Sequence, residues 1–469
     1  MAIKKEFGIS YNDEPKSELS FLERFAYGTG DFAVNIVYSA ITTFLLFYYT
    51  DVVKINPAAV GSIMLFSRLF DGVTDIIMGI IVDRTKSRFG KARVWLSRLA
   101  IPYAISAVVL FAVPMNASET FKLIYIFLSY NLTSSIILTG IVVPYSTMNA
   151  MMTQNQYERT LLGTFRMLLA TCGTMFINTF TLKMVAFLGN TPASWTWTFA
   201  IFGTLSIIIF YFSFLFTHER VVETPNPEIV NCNQKVTLKE EFLSLLKNKY
   251  WVMVAICIFL LYFSLTVNGG TAIYYAKAVL NNQDLVSTLT NATTIAQIGM
   301  MFVAAPLIVK RIGKGKSMAL GMAIMSLGYA ITALVGSNVT LIVVSNIIKG
   351  LGAGVAASCM WGMLSDTIEY GEWKTGIRSA GLANAASSFG SKVGSGVAGA
   401  VLGWVMSAGG YDAEATTQSA SAIAAVSSLY IYIPLVLGIV SVAIMYFGYK
   451  LDTEYDRIIA ELETRNTGV

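Results

Sequence analysis

Long apolar windows, each followed by a short polar turn, dominate this chain from residue 25 to residue 449. They fall at 25–49, 58–82, 94–114, 123–145, 167–185, 197–216, 250–277, 287–309, 317–336, 341–363, 379–407 and 422–449. A helix that crosses a bilayer needs about 20 apolar residues in a row, and windows of this length exceed what a core strand uses. The pattern predicts an all-α membrane protein with twelve transmembrane helices. Three polar stretches frame them: a tail at 1–24, a stretch at 217–249 holding Pro225, Pro227 and charges of both signs, and a tail at 450–469. The middle stretch is the longest and reads as a linker joining two six-helix bundles, 25–216 and 250–449.

Composition removes the soluble alternatives. Hydrophobic residues make up 55% of the chain and charged residues 13%, against roughly 25% charged in soluble domains, and the mean hydropathy is +0.61. An ordinary soluble enzyme and a large extramembrane domain are both excluded. With both termini cytoplasmic, the inner segments hold 25 of the 33 Lys+Arg and the outer loops only Lys54 and Lys122. This positive-inside distribution predicts a multi-pass protein of the cell (inner) membrane with cytoplasmic N- and C-termini. It also explains the basic turns without a nucleic-acid partner. The first twenty residues are charged and hold no apolar signal core, so the chain is expected to enter the membrane through its first helix. Cys172, Cys232, Cys257 and Cys359 show no paired spacing and His218 is the only histidine, which leaves no readable disulfide framework, zinc site or histidine-based catalysis.

Three acids stand where lipid should exclude them. Asp31, Asp71 and Asp75 lie well inside predicted helices, and a charge near a helix centre costs about 2.5 to 3.5 kcal/mol on insertion scales. Asp71 and Asp75 are four residues apart, hence on one helix face, with Thr74 beside them and Gly72 and Gly79 nearby. Two close carboxylates repel, so they share a proton or a cation at neutral pH, and such oxygen clusters suit hard cations. Arg68, one turn away, is the competing partner for Asp71. Of the basic residues Arg68, Arg98, Lys183, Lys277, Lys349 and Lys392, most lie near enough to a helix end to snorkel. Lys392 stands mid-helix among glycines and serines and is the natural counter-charge for Asp31 or the aspartate pair. At the cytoplasmic face, Asp366 and Glu369, with Arg378 beyond them, face the basic turns Asp83–Lys91 (with Arg84 and Arg88) and Lys310–Lys316. Salt bridges between the halves there would form an inner gate. The two basic turns follow the second helix of each half, an echo that fits two equivalent bundles rocking around a central cavity, as in transporters of the major facilitator type.

The segments Tyr27-Gly-Thr-Gly-Asp31-Phe, Tyr48-Tyr-Thr-Asp51, Phe70-Asp71-Gly-Val-Thr-Asp75, Arg88-Phe-Gly-Lys91 and Asp366-Thr-Ile-Glu-Tyr-Gly371 together make the chain resemble the glycoside/pentoside/hexuronide:cation symporters, the family of the melibiose permeases. The resemblance runs nearly the full length. It implies a major facilitator fold with cation and sugar sites adjacent at its centre. Asp71 and Asp75 then match cation-site aspartates, with Thr74 and Thr139 as neighbouring oxygen ligands. Asp31 matches a carboxylate that binds sugar hydroxyls, Arg166 an arginine that reaches the sugar, and Lys392 the lysine of helix 11. Where the melibiose branch has a second sugar-binding aspartate, this chain has Val142 before Pro144, and an expected tryptophan is Ser146. Losing that carboxylate favours an anionic sugar, and Tyr274-Tyr275-Ala276-Lys277 with Met360-Trp361 resemble the glucuronide-carrier branch.

The resulting expectation is a symporter that imports a glycoside, with a lean to a glucuronide or other hexuronide, together with H⁺ or Na⁺; a neutral pentoside or oligosaccharide is the alternative. Tyr38, Tyr145, Tyr274 and Trp361 are candidate platforms for the sugar face. No cofactor is expected and no metal beyond Na⁺ at Asp71 and Asp75. The protein is expected to be a monomer in lipid. Two other classes fit less well: an intramembrane Mg²⁺-dependent prenyltransferase would need a second acidic motif within the membrane, and a sugar sensor would need a signalling domain.

Overall fold

The computed structural model describes residues 19–153, 155–220, 238–377, 379–415 and 417–467. Pro225, Pro227, Cys232 and Arg378 lie outside the described residues, as does the side chain of Asp83. The described residues form helices and no strand. Twelve long helical segments follow one another: α1 (21–52), α2 (Pro57–Arg84), α3 (Arg93–Leu110), α4 (Glu119–Met152), α5 (Gln156–Phe187), α6 (Pro192–Phe216), α7 (Lys249–Ala278), α8 (285–312), α9 (Lys314–Leu334), α10 (Val339–Thr375), α11 (Ala380–Ala408) and α12 (Ala420–Gly448). Each covers one apolar window. The starts are capped as the sequence dictates: Asn56 accepts from the Ala58 N–H at 2.8 Å with Pro57 as first helical residue, and Thr191 and Ser194 form a reciprocal capping box ahead of α6.

Three helices overrun their windows: α4 runs on to Met152 rather than 145, and polar residues continue two others. α5 begins at Gln156 rather than 167, and α10 ends at Thr375 rather than 363, where Gly376 takes a left-handed conformation at φ 72°. The polar tail forms a helix, Leu451–Thr467, fastened to α10 by Trp373 donating to Glu461 at 2.7 Å and by Tyr455 donating to Glu369. A short helix, Leu238–Lys247, occupies the end of the polar central stretch.

Eight of the twelve segments are long and apolar enough to cross a membrane. The other four, α1, α2, α8 and α11, are rich in polar, charged or glycine residues, among them Asp31, Arg68, Asp71, Asp75, Asn291 and Lys392. Packing shows why. α1–α6 pack mainly among themselves and α7–α12 do the same, while the two sets meet through α2 against α11, α5 against α8 and α1 against α7. The four polar helices all take part in these inter-set contacts, so they exchange lipid for protein. Exposed side chains on the outer faces, such as Ile105, Ile208, Leu327 and Ile439, are apolar.

The crossing of α2 and α11 depends on missing side chains. A Cβ on Gly403 would lie 2.2 Å from the Pro57 carbonyl oxygen, and Gly61 sits against Gly399 and Ala400. One turn further along, Gly396 leaves room for the stem of Arg68.

Candidate functional site

At mid-membrane every charged residue of α1 and α2 that the sequence singled out is paired. Arg68 donates to Asp71 Oδ2 at 3.0 Å, and Ser135 on α4 donates to Asp71 Oδ1 at 2.5 Å. Lys392 on α11 donates to Asp75 Oδ2, and Thr139 on α4 donates to Asp75 Oδ1 at 3.2 Å. The competing assignment of Arg68 to Asp71 thus coexists with a second pair, from the other set of helices, at Asp75. The two carboxylates differ in access. Asp71 is buried, whereas Asp75 and Lys392 are each 32% exposed.

Asp31 is bound to Arg166 on α5, with Nε 2.5 Å from Oδ2 and Nη2 3.5 Å from Oδ1. The guanidinium also lies 4.6 Å over the Tyr145 ring, and Nη1 donates to Ser146 Oγ at 3.3 Å. Arg166 and Asp31 therefore form one assembly at the α1–α5 contact, continued by Asn35, Ser39 and Thr174, with Ser39 and Thr174 hydroxyls 2.8 Å apart.

Four expectations need correction. Thr74 donates to the carbonyls of Phe70 and Asp71 at 3.2 and 3.1 Å, so its hydroxyl serves its own helix rather than Asp75. Tyr145 and Tyr274 are fully buried and present no ring face to a sugar; Tyr145 stacks on Tyr27 at 4.8 Å. Tyr38 is half-buried against the core, and Trp361, 44% exposed, is the candidate with an open surface. Lys349 does not snorkel: it is buried against the rings of Tyr329 and Tyr430, at 4.6 and 4.5 Å, and donates to Asn346 at 3.1 Å. The inner-gate residues pair otherwise than expected. Asp366 is held by Lys314 at 2.7 Å and Glu369 accepts from Tyr455, both within α7–α12 and its following helix. Arg84 and Arg88 are exposed, Arg88 resting 4.6 Å over Phe89. The described ion pairs Arg24–Glu158, Arg220–Glu23 and Lys314–Asp366 at this end each stay within one set of helices.

At the opposite end the two sets of helices are tied by a cluster that sequence reasoning missed. Asp51, at the end of α1, accepts from Lys277 at 2.5 Å and from Tyr411 at 2.9 Å, both from the other set. Thr50 donates to Asp51 at 2.8 Å or bonds Tyr274, whose hydroxyl lies 2.7 Å away. Burial and the neighbouring Asp51 carboxylate push the Tyr411 phenol upward, so it stays a donor. Asp51 sat at the edge of an apolar window and carried no sign of its partners 226 and 360 residues away. Ser135 was legible in principle, one turn before Thr139 on the same helix.

The family profile described as MFS/sugar transport protein matches residues 26–453. The chain belongs to this family. It is a transporter by family and not an enzyme. It is 32% identical to the isoprimeverose transporter of Lactiplantibacillus pentosus, over 96% of this chain and 93% of that protein. It is 27% identical to a glucuronide carrier protein homolog of Escherichia coli strain K12, over 96% of each. Among solved structures, that of the nucleoside transporter NupG superposes with a TM-score of 0.62 at 17% identity, covering 92% of this chain and all of that one. That likeness extends to the fold, a major facilitator arrangement.

Proposed function

We propose that this protein imports an uncharged glycoside together with a cation, Na⁺ or H⁺, by alternating access in the cell membrane with its termini cytoplasmic. The observation that carries this reading is the Asp75–Lys392 pair. It joins α2 to α11 across the two sets of helices, it is the most exposed of the central pairs, and Thr139 stands beside it. A cation arriving at Asp75 replaces the lysine ammonium and releases the tie between the halves. Ligand binding and conformation are then linked, and each ligand raises the affinity of the other by the same factor. With the Asp51 cluster sealing the outer end, this conformation corresponds to a carrier whose outer gate is closed.

Charge matching supports an uncharged sugar over a hexuronide. Arg68, Arg166 and Lys392 are each bound to an aspartate, leaving none of these three free for a uronate carboxylate. To bind a uronate through Arg68 or Arg166 one pair would have to break and leave a buried aspartate without its partner, which is strongly unfavourable, and Lys392 comes free only once a cation has taken its place at Asp75. The relative that is named for isoprimeverose, an uncharged disaccharide, agrees with this choice. The hydroxyl-binding groups are Asp31 and Arg166, with Trp361 as the sugar platform.

Proteoliposome uptake of labelled isoprimeverose, methyl xyloside, methyl glucoside and methyl glucuronide, with Na⁺ and pH gradients imposed separately, tests this reading. Accumulation of a neutral glycoside under one of the two gradients is expected, and its loss in Asp75→Asn. Accumulation of the glucuronide alone would overturn the substrate assignment. Undiminished accumulation by Asp75→Asn would overturn the cation site.

A further inference from the structure

Helices α2 and α4 meet through three polar rungs. Asn131 donates to Ser67 at 2.8 Å, Ser135 to Asp71 at 2.5 Å and Thr139 to Asp75 at 3.2 Å. Partners stay 64 residues apart in every rung, which requires the two helices to run in the same direction in register. Successive rungs are four residues, about one helical turn, apart. The two acidic rungs share one design. In each, Oδ1 accepts from a hydroxyl on α4 while Oδ2 is held by a basic side chain, Arg68 at Asp71 and Lys392 at Asp75.

A hydroxyl that donates its proton to a carboxylate still has lone pairs to offer, and a hard cation placed at these acids takes oxygen ligands. Thr139 and Ser135 both reach a carboxylate oxygen, Ser135 lying also 3.3 Å from the Ser67 carbonyl, whereas the Thr74 hydroxyl bonds the carbonyls of Phe70 and Asp71 on its own helix. α4 itself is modified at this point. It opens into a π-helical stretch over Leu132–Leu138, centred on Ser135, as other helices of this chain do elsewhere.

We infer that Ser135, rather than Thr74, is the second hydroxyl ligand of the coupling-cation site, standing to Asp71 as Thr139 stands to Asp75. The inference rests on the reading of Asp71 and Asp75 as the cation carboxylates and adds to Thr139 a second ligand from α4, so that α4 contributes one hydroxyl to each acid of α2.

The test is a titration of the full-length purified protein with NaCl and with LiCl, at constant ionic strength made up with choline chloride, read as the shift in thermal unfolding. The variants are Ser135→Ala, Ser135→Cys, Thr74→Val and Asp71→Asn. Ser135→Cys keeps the side-chain size while replacing a hard oxygen by sulfur, so it serves where the alanine variant fails to fold. Ser135→Ala and Ser135→Cys are expected to raise the half-saturating Na⁺ concentration about tenfold, the effect of losing one hydrogen-bonding ligand, and to change the Na⁺-to-Li⁺ preference, which a merely structural role would not move. Thr74→Val should stay within about twofold of the parent. If the Ser135 variants titrate like the parent while Asp71→Asn loses the response, the inference is overturned and the cation site stands. If Asp71→Asn also titrates like the parent, the cation site itself is wrong. A parent that responds to neither Na⁺ nor Li⁺ would likewise remove Ser135 as a metal-cation ligand.

Discussion

Replacing Asp51 by asparagine removes one charge from the cluster that ties the two sets of helices at the end proposed to face outward, while keeping its shape. The Asp51 side chain is 3% exposed and accepts from Lys277, Tyr411 and Thr50. Breaking a buried ion pair by removing one partner costs about 3 to 5 kcal/mol. Lys277 is 31% exposed, so its freed ammonium regains water, which places the cost near the lower limit, about 3 kcal/mol. Lys277 and Tyr411 belong to the opposite set of helices from Asp51, so opening this end must separate them and the whole cost falls on the closed state. About 3 kcal/mol shifts the closed-to-open ratio by a factor of about 150. Thr42 lines a small cavity of about 40 Å³ between the sets, with Arg68, Thr266 and Ser395. In a cysteine-free background, Thr42→Cys should therefore react with a membrane-impermeant maleimide in whole cells at least about tenfold faster when Asp51→Asn is present. Lys277→Met should do the same, and the double variant should add little, since both remove one interaction. An unchanged labelling rate in Asp51→Asn would refute the cluster as the outer closure.

Three further outcomes follow from particular contacts. Glu219 accepts from the backbone N–H groups of Lys91, Ala92 and Arg93 at 3.0, 3.0 and 2.6 Å, capping the start of α3 from a distance, so Glu219→Ala should cost about 2 kcal/mol of stability in a denaturation series; a loss below about 0.5 kcal/mol would mean that water replaces the carboxylate. Gly403→Val should abolish transport or misfold the protein, because its Cβ would sit 2.2 Å from the Pro57 carbonyl oxygen, and normal uptake would show that the α2–α11 contact relaxes cheaply. Lys349→Met should leave thermal stability equal or higher, since the buried ammonium has ring faces and an amide but no carboxylate among the described contacts to offset its desolvation; a drop of several degrees would assign the lysine a structural charge.

Much of the fold was written locally. Helix crossing is a property of runs of about 20 residues, so the twelve windows and the twelve long segments coincide, and the ends that differ most, at α4, α5 and α10, are those where the helix continues beyond the apolar stretch. The cost of Asp31, Asp71 and Asp75 in lipid was equally local, and it marked the centre of the molecule before any partner was known. What each charge meets was not local. A helix periodicity states which face a residue occupies but not which helix covers that face. Lys392 therefore suited Asp31 as well as Asp75 until α11 was seen against α2, where Gly61, Gly399 and Gly403 permit the close approach. Thr74 looked like a ligand because it lies next to Asp75 in sequence, and Ser135, 64 residues from Asp71, did not. The Asp51 cluster draws on three separate segments and exists only once the two sets of helices close on each other. Sequence thus determined which residues must leave the lipid, because desolvation acts on each residue alone; tertiary structure decided which of them meet, because a pairwise contact depends on how distant helices pack.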